Sequence, residues 1–321
     1  MRNDASSALS VDVRGMSMSS PRVQVNTAGR LVEFRVSEAF QSDGNHNLGA
    51  FFSKSVLSDA VFCYPKARRF AVLSESPIDP CYTRLDEVTK RFSVIYTHQQ
   101  YLLAKGPPFL PLMFGTNWLG VEDDALAELA ANNSLCKTSS VSFIGSLEHP
   151  ANGAYKLRRE VAQYVMARGD VACFGKGIRP VAGKREAIAP FRFSIAMENA
   201  SADHYFSEKL IDCLLLETVP IYFGCPGIGD MFDKRGFLCF ENLEQLTDIL
   251  DDLSVARYEQ MRPFVLANKR KAIEEQWHSH GGLFARLAAT LTPALLASSA
   301  GSVRPSKRLF RVARKTWESL V

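Results

Sequence analysis

The stretch Phe-Ser-Ile-Ala-Met-Glu-Asn-Ala-Ser-Ala-Asp-His-Tyr-Phe-Ser-Glu-Lys-Leu-Ile-Asp at positions 193–212 decides the fold, together with Val-Pro-Ile-Tyr-Phe-Gly at positions 219–224. The first apolar run predicts a strand that ends at Glu198. Ser207 has the position of a helix N-cap, because an apolar-periodic run through Leu216 follows it. The second apolar run predicts another strand. Strand, loop, helix and strand in this order are typical of a parallel α/β sheet.

Polar side chains concentrate where the first strand ends and the helix begins: Glu198, Asn199, Tyr205, Glu208 and Lys209. Ligands usually bind at this edge of a parallel sheet. A helix N-terminus offers N–H donors and a partial positive charge, and Lys209 adds a full charge that suits phosphate. Glu208 would repel phosphate, so we expect it to accept hydrogen bonds from ribose hydroxyls. The pattern predicts a nucleotide diphosphate site, although a Glu-Lys pair alone is more often a solvated first turn.

The order and spacing of these residues resemble glycosyltransferase family 10, the α-1,3/1,4-fucosyltransferases. In that family a Glu-Asn pair, a Tyr and a Glu-Lys pair precede a proline-containing strand that ends in glycine, here Pro220 to Gly224. The close match covers about a tenth of the chain, and a weaker one runs from about Phe70 to Asn242. The resemblance implies a GT-B-like α/β fold, with two Rossmann-like domains that face each other across a cleft.

The resemblance also implies an activity, the inverting transfer of L-fucose from GDP-fucose to a hydroxyl of a glycan acceptor. The GDP-sugar is a co-substrate, so no cofactor is expected, and a divalent metal at most stimulates the reaction. The acidic run at 122–124 looks like an Asp-x-Asp metal motif, but we interpret it as the start of a predicted helix at 122–131. Two alternatives stay open: a transferase that uses another GDP-sugar, and a non-catalytic protein that binds a nucleotide sugar or a glycan.

Glu75, within Ser-Glu-Ser-Pro at positions 74–77, is the predicted catalytic base. It follows a predicted strand at 70–73, and Pro77 ends that strand because a proline restricts the preceding residue to extended conformations. In the resembled family, a Glu in a similar motif is thought to deprotonate the acceptor hydroxyl. A group with this task is a carboxylate or a histidine held within reach of the proton. A plain loop carboxylate is the alternative for so short a motif.

The resemblance places an arginine near the start of the helix after the first strand of the donor-binding half. Arg158 and Arg159 both have that position, and we prefer Arg158 because Val161 then falls on the buried side of the helix. Its planar guanidinium suits a diphosphate. The other residues assigned to the donor by the resemblance are Glu198, Asn199, Tyr205, Glu208 and Lys209. Weaker candidates are Lys184, Gly175 and Gly177 for the donor, and His98 for the acceptor.

The chain is predicted to contain four segments. Residues 1–21 are rich in Ser, Asn and Asp and are typical of a disordered lead. Residues 22–131 are predicted to form an acceptor-side α/β domain, within which 45–56 read as a loop that continues into a helix. Residues 132–290 are predicted to form the nucleotide-sugar-binding α/β domain. Residues 291–321 are predicted to be a basic amphipathic tail.

The composition is that of an ordinary soluble globular protein: 46% of the 321 residues are hydrophobic and 22% are charged. The net charge of +4 is too balanced to indicate nucleic-acid binding. The seven cysteines lack Cys-x-x-Cys spacing, so neither zinc nor redox chemistry is indicated. Reduced core thiols favour the cytoplasm. The first 20 residues have no apolar signal core, and no run is long and apolar enough to span a bilayer.

The tail also predicts a location at the inner face of an anionic membrane. On a helical wheel its basic side chains share one arc and its apolar side chains share the other. Basic amphipathic helices with aromatic residues bind such surfaces. The alternative is a terminal helix that docks its apolar face on its own protein. The basic arc consists of Lys307, Arg308, Arg311, Arg314 and Lys315.

Overall fold

The computed structural model describes residues 8–18, 21–37, 46–76, 79–119, 135–146, 154–301 and 303. The chain divides into two compact units. The first unit contains Met1–Met113 and Leu283–Val321, and the second contains Phe114–Gly282. Each unit is built on its own sheet, described below.

The strands are β1 (Leu9–Arg14), β2 (Arg22–Thr27), β3 (Arg30–Val36), β4 (Leu48–Phe52), β5 (Arg69–Leu73), β6 (Ile95–Thr97), β7 (Phe109–Pro111), β8 (Ser139–Ile144), β9 (Ala172–Phe174), β10 (Phe191–Met197), β11 (Val219–Phe223) and β12 (Leu238–Cys239). The helices are α1 (Pro80–Thr83), α2 (Leu85–Arg91), α3 (Gln100–Leu103), α4 (Ala154–Arg168), α5 (Lys184–Ile188), α6 (Glu208–Leu215), α7 (Leu243–Asp251), α8 (Val255–Glu274), α9 (His280–Ala289) and α10 (Pro293–Ser298). Short 3-10 helices lie at Ser53–Leu57, Asp59–Cys63, Lys66–Arg68, Ile228–Asp230 and Lys234–Gly236.

The first unit has a seven-stranded sheet in the order β2-β3-β1-β4-β5-β6-β7. All neighbouring strands pair in parallel except β2 and β3, which are antiparallel. Every residue of β4 and β5 is buried, as expected where both faces of a parallel sheet are covered. Because the strands are parallel, β4 and β5 end at the same edge. Ser53 and Glu75 therefore follow neighbouring strands of that edge.

The second unit has a five-stranded, fully parallel sheet in the order β12-β11-β10-β8-β9. The central strand β10 and its neighbour β11 are the two strands that the sequence predicts around positions 193–224. Helix α6 connects them, and all its residues except Lys209 are buried. The sheet order puts the ends of β8 and β10 beside each other, close to the start of α6. The α/β class of both units is thus confirmed.

The predicted disordered lead at 1–21 is wrong in its middle part. Residues 9–14 form β1, which lies inside the first sheet between β3 and β4. Val11 and Val13 are completely buried, and the polar Asp12 between them is paired with Arg14 at 2.9 Å. The polar composition hid this strand, because the buried Asp12 also accepts from Tyr64 OH, a partner that lies 52 positions away.

The prediction of a loop and helix at 45–56 is also wrong in its first half. Residues 48–52 form the buried strand β4, and only the next residues form a short 3-10 helix. Burial of a strand on both faces removes the alternation of polar and apolar residues that would have identified it. The loop-like composition of the preceding residues then favoured the wrong assignment.

The boundaries between the units differ from the predicted 22–131 and 132–290. The first unit is discontinuous: its first segment ends at Met113, and its second segment begins at Leu283, within α9. Phe284 of this returning segment stacks on Phe34, with ring centroids 4.5 Å apart. Such a pairing between residues far apart in sequence leaves no local signal, so the second domain was predicted to reach residue 290.

The predicted tail at 291–321 also begins too early. Helix α10 and the residues after it are fixed to the first unit. Arg68 Nη1 donates to the carbonyl oxygen of Gly301 at 3.0 Å, and Val303 N donates to that of His46 at 2.8 Å. The remaining basic tail at 304–321 and the predicted helix at 122–131 lie outside the described residues. Among the helices described, none has the length and apolar character needed to cross a membrane.

Candidate functional site

A cavity of about 430 Å³ opens in the second unit, where β8 and β10 end and α4 and α6 begin. Its lining combines main chain at Gly145 and Met197 with basic side chains. Of the residues predicted to bind the donor, five line it: Arg158, Lys184, Asn199, Glu208 and Lys209. The structure therefore brings together side chains that are up to 51 positions apart, from 158 to 209.

Ser207 caps α6 as predicted, and Glu198 holds that cap in place. The Ser207 side chain accepts from Lys209 N at 3.4 Å. Ser207 N and Ser207 Oγ both donate to the carboxylate of Glu198, at 2.8 and 2.5 Å. Burial raises the pKa of Glu198, whose side chain has no exposed surface. Glu198 thus lies beneath the helix start and does not line the cavity.

Lys209, Glu208 and Lys184 form a line of alternating charge along the cavity wall. Lys209 Nζ lies 3.0 Å from Glu208 Oε1, and Lys184 Nζ lies 3.4 Å from the same oxygen. Burial opposes the charge on Glu208, but the two ammonium groups outweigh burial and lower the pKa of Glu208 to about 2. Burial also opposes the charge on Lys209, yet Glu208 and Glu198 raise its pKa above the usual value. Both groups are therefore ionised at neutral pH.

Trp118 also lines the cavity, and Asp212 lies fully buried behind this wall. Neither residue was predicted from the sequence. Asp212 Oδ1 accepts from Trp118 N at 3.0 Å, and Asp212 Oδ2 accepts from Lys184 Nζ at 3.1 Å. The Trp118 ring covers the Lys184 ammonium at 4.7 Å, and 64% of Trp118 is exposed. Burial raises the pKa of Asp212 to about 6. The available signal was the spacing of Glu208 and Asp212, which puts both carboxylates on one face of a helix.

Arg158 lies at the other side of the cavity and links α4 to the end of β10. Its Nη2 donates to Met197 O at 2.5 Å and to Asn199 Oδ1 at 2.8 Å. The guanidinium also lies 5.1 Å from the centre of the Tyr155 ring. Burial lowers the pKa of Arg158. Arg159 does not line the cavity, so the geometry favours Arg158 as the predicted phosphate ligand.

Gly175 and Gly177 turn the chain beside the cavity at φ angles of 121° and 78°. A Cβ atom on Gly175 would lie 1.8 Å from the carbonyl oxygen of Gly145, which is itself a cavity residue. Gly175 thus allows the close approach of two loops, while Lys176, between the two glycines, contributes to the lining.

We expect Gly175→Ala to lower the free energy of unfolding by at least about 2 kcal/mol, because it combines a strained backbone with a main-chain clash. Gly183→Ala is the matched control, since Gly183 has an ordinary extended backbone and no atom within 4 Å of an added Cβ. Chemical denaturation of both variants measures the difference. Equal stabilities would contradict the close approach of Gly175 to Gly145.

The remaining predicted site residues lie elsewhere. Tyr205 is buried in the loop before α6 and is not among the lining residues. His98, in the first unit, is 1% exposed, and burial lowers its pKa to about 3. Its ring is therefore neutral and inside the unit. Glu75 is exposed at the end of β5, where its Oε1 accepts from Ser53 Oγ at 3.2 Å.

The charge on Glu208 gives a pH dependence with a definite sign. The pKa of Glu208 is about 2 in the folded protein and 4.5 for an unperturbed glutamate. Its contribution to stability is therefore present above about pH 4.5 and is lost as the pH falls toward 2. The difference corresponds to on the order of 3 kcal/mol. We expect Glu208→Gln to flatten the acid side of the unfolding free energy, measured with urea between pH 5 and about 2.5. The exposed Glu244→Gln should leave that slope unchanged.

Comparison with known proteins now adds to this geometry. Residues 136–280 match the family model described as glycosyltransferase family 10 (fucosyltransferase) C-term. The alpha-(1,3)-fucosyltransferase FucT of Helicobacter pylori is 28% identical over 71 residues, which are 22% of this chain and 15% of that protein. GDP-fucose protein O-fucosyltransferase 3 of Bos taurus is 46% identical over 43 residues, 13% of this chain and 9% of that protein. The match thus spans less than a sixth of either relative.

Solved structures show the fold. A crystal structure of alpha1,3-fucosyltransferase with GDP is similar with a TM-score of 0.52 and 15% identity, over 87% of this chain and 94% of that one. A second alpha1,3-fucosyltransferase structure has a TM-score of 0.51 and 15% identity, over 83% and 82% of the two chains. These structures confirm the predicted GT-B-like α/β fold class. The resemblance seen at positions 193–224 is confirmed by the family model, which matches residues 136–280.

Proposed function

We propose that the protein transfers L-fucose from GDP-fucose to a hydroxyl group of a glycan, because residues 136–280 match the model of the C-terminal domain of glycosyltransferase family 10. The observation that carries the proposal is the cavity at the start of α6, which lies inside the matched domain. It presents Lys209, Lys184 and Arg158 next to a capped helix N-terminus. Cations and helix N–H groups together are the ordinary means of binding a diphosphate.

In the proposed complex the diphosphate contacts Lys209 and Arg158, while Asn199 and Glu208 position the ribose and the sugar. Arg158 is held by Asn199 and Met197, so its guanidinium is oriented before any ligand arrives. Lys209 is held between Glu208 and Ser207, both at 3.0 Å. Preorganised charges of this kind stabilise the negative charge that builds up on a leaving group. Tyr205 and Glu198 support the loop and the helix start, with no direct contact to the donor.

The proposed reaction is a single displacement that inverts the anomeric carbon. Glu75 of the first unit takes the proton of the acceptor hydroxyl as the acceptor oxygen forms its bond to the anomeric carbon of fucose. The bond from that carbon to the β-phosphate oxygen breaks, and its electron pair leaves with GDP. Lys209 and Arg158 offset the charge gained by the diphosphate. No resident metal is proposed, so activity should persist after treatment with a chelator.

We also propose a cytoplasmic location, at the inner face of the membrane through residues 304–321. All seven cysteines are free, which suits a reducing compartment. A variant that ends after Val303 keeps the contacts of Gly301 and Val303 with the first unit. It should lose co-sedimentation with vesicles that contain anionic lipid, while the full chain is retained on them and neither binds neutral vesicles. Equal retention of both would contradict the membrane role of the tail.

The experiment that tests the function measures release of GDP from GDP-fucose, with and without N-acetyllactosamine-type and lipopolysaccharide-type acceptors. Acceptor-dependent release of GDP is the expected result. GDP-mannose and UDP-glucose serve as comparison donors, because the first changes only the sugar and the second changes both the sugar and the nucleobase. Turnover of GDP-mannose alone would replace fucose by another GDP-sugar. GDP binding without turnover of any donor would support a non-catalytic protein, and absence of GDP binding would contradict the donor site.

A further inference from the structure

Ser53 has an unusual backbone conformation at the end of β4. Its φ angle is 48°, in the left-handed region that residues with a side chain rarely adopt. Such a conformation costs free energy and persists only where the surroundings impose it, which is frequent at functional sites. The backbone of Ser53 therefore marks residue 53 as a candidate functional position.

The Ser53 side chain contacts the residues that follow the neighbouring strand β5. Ser53 Oγ lies 3.0 Å from Ser74 Oγ and 3.2 Å from Glu75 Oε1. β4 and β5 pair in parallel, so residues 53 and 74–75 meet at the same edge of the sheet. Because Glu75 can only accept when it is ionised, Ser53 is the donor in that contact. The Ser74 hydroxyl can donate to Ser53 Oγ or accept from it.

The segments that carry Ser53 and Glu75 are both fixed by buried groups. Ser55 Oγ donates to Arg14 O at 3.1 Å and to Phe52 O at 2.7 Å, which holds the turn after β4 against β1. On the other side, Tyr82 OH bonds the carbonyl oxygens of Leu73 and Glu75, at 3.1 and 3.0 Å. The backbone positions of Ser53 and Glu75 are therefore set by the fold, so that their side chains need only a short reach to meet.

We propose that Ser53 is a positioning residue for Glu75: its hydroxyl donates a hydrogen bond that holds the carboxylate in one orientation, with the second oxygen directed to the acceptor hydroxyl. The inference rests on the proposed function, since it assigns a partner to the proposed base. It also gives a reason for the left-handed backbone at residue 53.

The titratable side chains near Glu75 leave this interaction intact at neutral pH. Helix α1 brings Asp79, Cys81 and Tyr82 to this part of the unit. Burial raises the pKa values of Cys81 and Tyr82, and the negative charges of Asp79 and Glu75 raise that of Cys81 further. Both groups stay neutral. Loss of the Ser53 hydroxyl is therefore expected to destabilise only the ionised form of Glu75 relative to its protonated form. A hydrogen bond to a carboxylate favours its charged form.

The test compares Ser53→Gly and Ser53→Ala in the full chain. Both remove the hydroxyl, but glycine also relieves the left-handed backbone. We expect both variants to lower kcat by about tenfold and to move the acid limb of the pH profile upward by about half a unit. The affinity for GDP should be unchanged, and Ser53→Gly should unfold at the same temperature as the unchanged protein or higher. The exposed Ser93→Ala is the control for serine replacement in this unit.

Two outcomes separate the possible errors. If Ser53→Gly keeps full kcat and the unchanged pH profile, the residue has no positioning role and the inference is overturned. If Glu75→Gln itself keeps its activity, the proposed base is wrong, and the loss of activity in the Ser53 variants would then have another cause. If Glu75→Gln is inactive and Ser53→Gly is stable but has a lowered kcat, the result supports both Glu75 as the base and Ser53 as its positioning residue.

Discussion

Glu75→Gln is expected to lower the turnover number by about 10³-fold, because an amide cannot accept the proton of the acceptor hydroxyl. The affinity for GDP should stay within about twofold, since Glu75 belongs to the first unit and every residue that lines the cavity belongs to the second. Glutamine has nearly the same shape as glutamate and keeps an oxygen that can accept from Ser53. The fold around β5 should therefore be preserved, and the thermal unfolding temperature unchanged.

The matched control for this variant is Glu244→Gln, which changes an exposed carboxylate in α7 without any effect on turnover. Initial rates of GDP release with saturating donor and acceptor measure the difference, and calorimetric titration with GDP measures binding. A turnover number within about fivefold of the unchanged protein would remove Glu75 as the base. Equal loss of turnover and GDP binding would instead indicate a folding defect.

The candidate site around the start of α6 was largely predictable from the sequence, because its determinants are local. The N-cap at Ser207, the helix after it and the two flanking strands follow from periodicity and from short-range hydrogen bonding. Their arrangement then forces the end of β10 and the start of α6 to meet. Lys209 and Glu208 had to lie at that junction once the helix began at residue 208.

Other parts depend on contacts between distant residues and were predicted incorrectly or missed. Strand β1 requires the burial of Asp12, which accepts from Tyr64 OH at 2.9 Å, 52 positions away. The roles of Asp212 and Trp118 require the chain at 118 to return to α6, for which positions 193–224 hold no signal. Glu198 and Glu208 were both predicted to bind the donor, but only Glu208 lines the cavity, whereas Glu198 accepts hydrogen bonds from Ser207. Only the folded geometry separates two carboxylates of the same motif.

Lys209→Met is expected to weaken GDP binding by about 100-fold, the effect of removing one partner from a buried, hydrogen-bonded charge pair. The amine is ionised at neutral pH because Glu208 and Glu198 raise its pKa against the effect of burial. Methionine keeps most of the aliphatic length and removes the charge. Calorimetric titration with GDP measures the loss, and Lys156→Met, an exposed lysine of α4, is the control.

The loss of affinity has two possible physical origins, which a double variant separates. Lys209→Met removes an attraction for phosphate, but it also leaves the carboxylate of Glu208 less compensated, which would repel phosphate. In the combined Lys209→Met and Glu208→Gln variant that repulsion is absent. If Lys209 binds the diphosphate directly, the double variant stays at least about tenfold weaker than Glu208→Gln alone. If the double variant and Glu208→Gln bind GDP equally well, Lys209 serves only to neutralise Glu208. The phosphate must then be held by Arg158, Lys184 and the start of α6.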